Sequence, residues 1–207
     1  MVICHDAWHT EPTFGGMGIM LRRLFFWLMA LAAMLCPVQA AMAADAQPLV
    51  SDSDVRVVRS GGSFTVDLTL YAPVAPALAW AVLTDFEHMS DFLSNLTSSE
   101  VTERSDSLLK VSQKGVARYG LFSAKFESIR EIRLSPPHEI RAHGVGGNIQ
   151  RMESLMQLQA EGEGTRMTYH AEVMPGFWFP PLIGPALVRH DTAGQFSALL
   201  REMIRRQ

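Results

Sequence analysis

Apolar and polar residues alternate along several segments in the second two-thirds of the chain. In the segment 64–70 the even positions are apolar and the odd positions are polar. A period of two is typical of a β-strand with one face in the core and the other in water. The same period recurs at 109–119, 122–134, 149–160 and 165–173. Short turns rich in glycine, proline and serine join these segments, so we predict one antiparallel, meandering sheet.

Other signals complete the predicted order of elements. Gly61 and Gly62 separate the segment 55–59 from 64–70, which is the pattern of a hairpin. Pro76 fits an early helical position, and 77–83 is predicted as a short helix. Apolar residues return to helical spacing over 185–206, and the predicted stripe consists of Leu187, Phe196, Leu199, Leu200, Met203 and Ile204. This long helix has to bury its stripe, and the concave face of the sheet is the available partner.

The N-terminal quarter has the layout of a secretory signal. Two arginines after Met20 precede an apolar run from Leu24 to Leu35, and small residues stand at Ala41 and Ala43. We therefore predict a cleaved signal peptide within 20–43 and export to the periplasm. An uncleaved anchor is the alternative, and both Met1 and Met20 are possible starts. After the signal we expect a polar linker over 44–54 and one domain over 55–207.

Composition narrows the possible functions. Both cysteines, Cys4 and Cys36, lie in the region that cleavage would remove, so the mature chain would have no disulfide, thiol nucleophile or cysteine-bound zinc. The 18 basic residues are slightly outnumbered by 21 acidic ones, and they form no extended run. Nucleic-acid binding is therefore not predicted.

The sequence around the first helix is the most characteristic part of the chain. It runs Trp80-Ala-Val-Leu-Thr-Asp-Phe86 and continues with Phe92-Leu-Ser-Asn-Leu96, and later pieces are Gly164-Thr-Arg-Met-Thr-Tyr169 and Val173-Met-Pro175. With the order of elements, these segments resemble the START-like (SRPBCC) superfamily, in particular its polyketide cyclase/dehydrase and coenzyme Q-binding branch. The resemblance implies an α+β helix-grip fold, in which a curved antiparallel sheet with two short helices after its first strand wraps around a long C-terminal helix. It also implies a ligand cavity between sheet and helix, used by carriers in some members and by cyclases or hydrolases in others.

Strand alternation selects the residues that would face such a cavity. The predicted apolar wall consists of Phe64, Leu68, Phe122, Phe126, Met152, Met156, Met167 and Tyr169. The polar residues with the same parity are few, and they are Gln113, Ser128, Arg130, Ser154 and Tyr169. Among these, Gln113, Arg130 and Tyr169 are predicted to contact a ligand. Each of the apolar residues could equally fill a core, and Arg130 could instead turn outward at a bulge or form an ion pair.

Acid–base residues are scarce in this pattern. No aspartate, glutamate or histidine has inward parity on the four best-patterned strands. Catalysis by proton transfer needs such a group, so we predict binding rather than catalysis. The weak candidates for catalysis are His190, on the terminal helix, and Tyr169. Histidine spacing indicates no metal site, and no cofactor is predicted.

A proline-rich aromatic loop precedes the last helix. Within it, Phe177 and Trp178 are predicted ligand contacts, and Phe177–Phe179 could also touch a membrane. A hydrophobic plug is the alternative role of these side chains.

Three hypotheses follow. The first is an exported carrier for a lipid, isoprenoid or quinone-like molecule. The second is a cyclase- or hydrolase-type enzyme acting in the same cavity. The third is an interaction module with a collapsed cavity.

Overall fold

The strands predicted from the alternating pattern are present and form one antiparallel sheet. The structure, a computed structural model, describes residues 49–176 and 183–207, and within these ranges there are eight strands and three α-helices. The strands are β1 (Arg56–Ser60), β2 (Ser63–Ala72), β3 (Leu96–Arg104), β4 (Leu108–Tyr119), β5 (Phe122–Ser135), β6 (Glu139–Gly147), β7 (Ile149–Glu161) and β8 (Gly164–Pro175). The helices are α1 (Pro76–Leu83), α2 (Met89–Phe92) and α3 (Gly184–Arg205).

All eight strands belong to one continuous sheet. The sheet runs β1-β2-β8-β7-β6-β5-β4-β3, and every neighbouring pair is antiparallel. β1 and β2 form the predicted hairpin, in which Ser60 pairs with Ser63 and Gly61 has a φ of 59°. Glycine adopts this left-handed conformation without the steric cost that a side chain adds. The two short helices lie between β2 and β3, so the chain has the predicted helix-grip architecture.

The residues at the two ends of helix α1 explain where it begins and where it ends. Pro76 is its first residue, a position at which the missing N–H of proline costs no hydrogen bond. The hydroxyl of Thr84 donates to the carbonyl of Trp80 over 2.8 Å, and the backbone N–H of Thr84 donates to the same carbonyl. A short 3-10 turn, Phe86–His88, then leads into α2. The characteristic sequence segment 80–96 is therefore the corner that turns the chain from α1 into β3.

Helix α3 buries most of the predicted stripe. Leu187, Phe196, Leu199, Leu200 and Met203 are buried, and the helix packs against β1, β2, β4 and both short helices. Ile204 was wrongly placed in the stripe, because its side chain is 44% exposed. The structure thus confirms the helix and corrects one edge of its buried face.

Two contacts hold α3 against the rest of the domain, one between Ser197 and Val50 and the other between Arg206 and Asp85. Near its middle, the buried hydroxyl of Ser197 accepts the N–H of Val50 over 2.9 Å and donates to the carbonyl of Val50. At its end, Arg205 and Arg206 each bind Glu202 over 2.6 Å and hold the pKa of Glu202 at about 2. Arg206 also reaches Asp85, at the end of α1, over 2.8 Å. Val50 is buried and bonded in this way although it lies in the stretch 44–54 that was predicted as a linker.

The predicted signal segment 20–43 lies outside the described residues. None of the helices in the described part combines the length and apolar character needed to cross a membrane.

Candidate functional site

A cavity lies between the inner face of the sheet and α3. Its volume is about 280 Å³, close to the lower limit of typical small-molecule pockets, about 300–1,000 Å³. Apolar side chains from the sheet and from all three helices line it, for example Leu83, Met89, Phe126, Met156 and Phe196. The gap between sheet and helix is therefore not completely filled, as a collapsed cavity would require, although the rings of Tyr169 and Phe196 meet across it.

Helix α3 has two parts with different surroundings. Leu187, Asp191, Gln195 and Phe196 face the cavity, whereas Leu200 and Met203 in the last turns are buried in the core and do not line it. The last turns therefore anchor the helix, and the part before them covers the cavity.

Strand parity predicted a set of candidate ligand contacts, and the structure shows which of them line the cavity. Six of them line the cavity, namely Gln113, Phe126, Arg130, Met152, Met156 and Tyr169. The two remaining polar residues of inward parity, Ser128 and Ser154, line it as well. Phe177 and Trp178 fall outside the described residues, so their predicted role stays a prediction.

Four predicted wall residues lie elsewhere. Phe64, Leu68 and Met167 are almost completely buried, but they fill the core instead of lining the cavity. Phe122 is 49% exposed, because it pairs with Tyr119 at the tip of the β4–β5 hairpin, beyond the cavity. Parity fixes the side of the sheet on which a residue lies, but it does not fix how far along the strand the cavity extends.

A chain of hydrogen bonds organises the polar part of the sheet wall. The Nη2 group of Arg130 donates to Oε1 of Gln113, and Nε2 of Gln113 donates to the hydroxyl of Ser99 over 2.9 Å. Ser99 in turn donates to the backbone carbonyl of Phe86. Each group in the chain has a consistent donor or acceptor role, so the Gln113 amide is oriented with its oxygen toward Arg130.

Tyr169 lies beside Arg130 on the same wall. Its ring packs against Phe196 of α3, with 5.1 Å between the ring centroids. Burial raises the pKa of the Tyr169 phenol, against the opposing effects of the nearby Arg130 charge and a hydrogen bond with Ser154. The phenol therefore stays protonated and can donate or accept a hydrogen bond.

A second polar group lies on the helix side and was missed by the sequence analysis. The carboxyl group of Asp191 lines the cavity and accepts hydrogen bonds from Gln195 Nε2 over 2.7 Å and from Asn95 Nδ2 over 3.2 Å. Burial raises its pKa, although both hydrogen bonds oppose this effect. Asp191 is four residues after Leu187 and four before Gln195, so extending the apolar stripe by helical spacing would have placed it on the inner face.

His190, the candidate base, faces away from the cavity. Its Nδ1 lies 3.2 Å from a carboxylate oxygen of Asp52, its ring contacts Tyr119 edge-on, and its side chain is exposed. Consecutive helical residues point about 100° apart, so the inward position of Asp191 directs His190 outward. His88, His143 and His170 also pair with carboxylates at exposed positions. Among the described residues, no three His, Cys, Asp or Glu side chains form a possible metal site.

Comparisons with solved structures agree with this architecture. The Zhui aromatase/cyclase from Streptomyces sp. R1128 superposes with a TM-score of 0.60 at 16% identity, covering 70% of this chain and 95% of that one. A fragment of the STAR-related lipid transfer protein from Xanthomonas axonopodis gives 0.57 at 14% identity, covering 74% and 99%. A START superfamily protein from Mycobacterium smegmatis gives 0.60 at 12% identity, covering 69% and 99%. At such identities these similarities show the fold alone.

Sequence comparison identifies the family. No curated protein matches the chain. Residues 72–194, which include most of the cavity wall and the first half of α3, match the family described as polyketide cyclase / dehydrase and lipid transport. The chain therefore belongs to this family.

Proposed function

We propose that this protein is an exported carrier for a hydrophobic small molecule with an oxygenated group, such as a lipid, an isoprenoid or a quinone-like compound. The observation that carries the proposal is the largely apolar cavity of about 280 Å³ between the sheet and α3. An empty cavity reduces the stability of a protein, so a fold that keeps one open is expected to use it. The Arg130–Gln113 pair and Tyr169 would bind the oxygenated group.

The size of the cavity limits how much of an apolar ligand can be buried, and this in turn limits the affinity for the ligand. Burial of about ten methylene groups contributes roughly 8 kcal/mol, which corresponds to micromolar binding before the cost of ordering the ligand. A carrier must also release its cargo, and this range permits release.

Export and membrane contact are parts of the same proposal. Export is supported by the signal-like segment 20–43, and the N-terminal sequence of protein purified from cells would test it. Membrane contact, expected for Phe177–Phe179, is supported by the exposed tip of the β4–β5 hairpin, where Leu121 is fully exposed and Phe122 half exposed. Ala117 and Ala124, just inside this tip, line the cavity. Flotation with lipid vesicles would test the contact.

We expect Ala124→Trp to abolish the uptake of hydrophobic ligands. The methyl group of Ala124 faces the cavity, so an indole at this position would occupy space that the ligand needs. Native mass spectrometry of protein purified from cells should show bound apolar mass in the wild type and none in the variant.

Ser123→Trp is the matched control for this substitution. Ser123 is the adjacent residue on the same strand, but it is exposed and does not line the cavity. This variant should retain the ligand. Wild-type protein that is always empty, and that takes up no hydrophobic dye, would contradict the carrier function.

A second candidate function, catalysis of the cyclase/dehydrase type, is favoured by one observation. Asp191 places a carboxyl group with a raised pKa against the space where a ligand would lie. A carboxyl group with a raised pKa keeps its proton to a higher pH than usual and can then act as a general acid. The paired base is not His190, which points outward, so this hypothesis now depends on Asp191 and Tyr169.

Asp191→Asn is expected to stabilise the ligand-free protein near neutral pH. Because burial raises the pKa of Asp191 above its ordinary value of 3.8, the folded state retains a proton that the unfolded chain has lost. Stability therefore falls as the pH rises from 3.8 through the folded pKa, and the penalty is complete above it. The variant should have a higher melting temperature than the wild type at about pH 7 and the same one at about pH 3. If turnover of a polyketide substrate is found and survives in Asp191→Asn, the acid role of Asp191 is excluded.

A further inference from the structure

Arg130 is a half-buried cation without a counter-ion in the described part of the protein. Its Nη2 group donates to the uncharged amide of Gln113, while its Nε group is buried and has no hydrogen-bond partner. No carboxylate among residues 49–176 and 183–207 forms an ion pair with it.

The acidic group at the cavity, Asp191, does not supply a counter-ion for Arg130. Asp191 is held by Asn95 and Gln195 on the helix side, and it is not within ion-pair distance of Arg130. Burial consequently lowers the pKa of the Arg130 guanidinium, but arginine remains charged in proteins. A buried charge that lacks a partner lowers the stability of the folded state.

The guanidinium group of Arg130 is also well suited to bind a carboxylate of a ligand. The guanidinium group has five N–H donors in a planar arrangement that matches the two oxygens of a carboxylate, and here the protein provides an acceptor for only one of its nitrogens. The hydroxyls of Ser128, Ser154 and Tyr169 line the same cavity. Apolar side chains form most of the remaining wall, so the cavity combines one cationic point with a long apolar surface.

We propose that the ligand of this cavity is an amphipathic monocarboxylate, whose carboxylate pairs with Arg130 while its hydrocarbon body lies against the apolar wall. The inference rests on the proposed carrier function and narrows the class of its ligand. An uncharged lipid would leave the guanidinium without a counter-ion, whereas a carboxylate would remove the destabilising effect on binding.

The test compares two probes that differ only in the head group. Decanoate and 1-decanol have the same ten-carbon chain, and at about pH 8 the decanoate is ionised. Isothermal calorimetry with the wild type should show that decanoate binds roughly tenfold to a hundredfold more tightly, the range expected for a hydrogen bond to a charged group. Arg130→Gln should abolish this preference, so that decanoate binds this variant no more tightly than 1-decanol does.

Arg133→Gln is the matched control, because it removes the same charge from an exposed position three residues along β5. It should preserve the preference for decanoate. The ligand-free Arg130→Gln protein should also melt at the same temperature as the wild type or higher, since an unpaired buried charge is removed. A lower melting temperature than that of Arg133→Gln would make Arg130 a structural residue and would overturn the inference.

The outcomes separate this inference from the carrier function. Equal affinity of the wild type for both probes would overturn the anionic head group and leave the carrier function intact. A decanoate preference that survives in Arg130→Gln would overturn the role of Arg130. If neither probe bound and hydrophobic dyes were also excluded, both proposals would fail.

Discussion

Met203→Ala is expected to lower the free energy of unfolding by about 2–5 kcal/mol. Met203 has no exposed surface and lies in the second half of α3, where the helix packs against the core. Truncation to alanine removes most of a buried side chain and leaves a void that a packed core fills only in part. Urea denaturation should show a midpoint at a lower urea concentration, while the dependence of the free energy of unfolding on urea concentration stays the same.

The next residue supplies the control for this prediction. Ile204 is 44% exposed, so Ile204→Ala should change the free energy of unfolding by no more than about 0.5 kcal/mol. Similar losses in both variants would mean that the last turn of α3 is buried differently from the description given above. A small loss in Met203→Ala would mean that this half of the helix does not anchor the domain.

Residues 203 and 204 also show what helical spacing can predict. Both fit an apolar stripe, because a stripe of about 100° has edges that a sequence alone does not locate. The side of the last turn that becomes buried depends on what packs there. Arg206 reaches Asp85 and the ring of Phe92, so the segment of α1 and α2 covers one side of this turn. That placement is tertiary, and no pattern within α3 contains it.

Strand parity was a better guide to the site than helical spacing. It placed Gln113, Ser128, Arg130, Ser154 and Tyr169 on the inner face, and all five line the cavity. Parity works because a strand buried on one side has only two possible orientations, and the alternating pattern distinguishes them. It failed for Phe122, whose orientation agrees with the pattern but whose position at the hairpin tip lies beyond the cavity.

Asp191 was missed for a different reason. Parity is clear only on the strands, and on α3 the residue predicted as a base was His190. Helical spacing from Leu187 would have selected Asp191 instead. Its raised pKa, however, depends on burial beneath the sheet, and its hydrogen bond with Asn95 joins residues that are distant in sequence. These properties require the three-dimensional structure.

The polar groups at the cavity share one energetic property. Arg130 and Asp191 each place an ionisable group where burial opposes its charge, so each is expected to reduce the stability of the ligand-free protein. The core of α3 and the Ser197–Val50 contact offset this cost. Features that lower stability and face the same cavity are typical of functional sites, where selection acts on binding or catalysis in place of maximal stability.

Gly115→Ala is expected to disturb the fold and the cavity together, lowering the free energy of unfolding by about 1–3 kcal/mol or more. A β-carbon at this position would overlap the carbonyl oxygen of Asn95 and the ring of Phe126. The Asn95 carbonyl accepts the N–H of Val116, and its side chain binds Asp191, while Phe126 is part of the cavity wall. The substitution should therefore lower the denaturation midpoint and also weaken decanoate binding.

Gly194→Ala is the matched control, since Gly194 lies on the exposed side of α3 and a β-carbon there would meet no other atom within 4 Å. Alanine favours the helix over glycine, so this variant should be more stable than the wild type by about 0.5–1 kcal/mol. Its ligand binding should be unchanged, because residue 194 does not line the cavity. If Gly115→Ala were as stable as the wild type, the close approach of β4 to Asn95 and Phe126 would be wrong, and with it the geometry that connects Asn95 to Asp191.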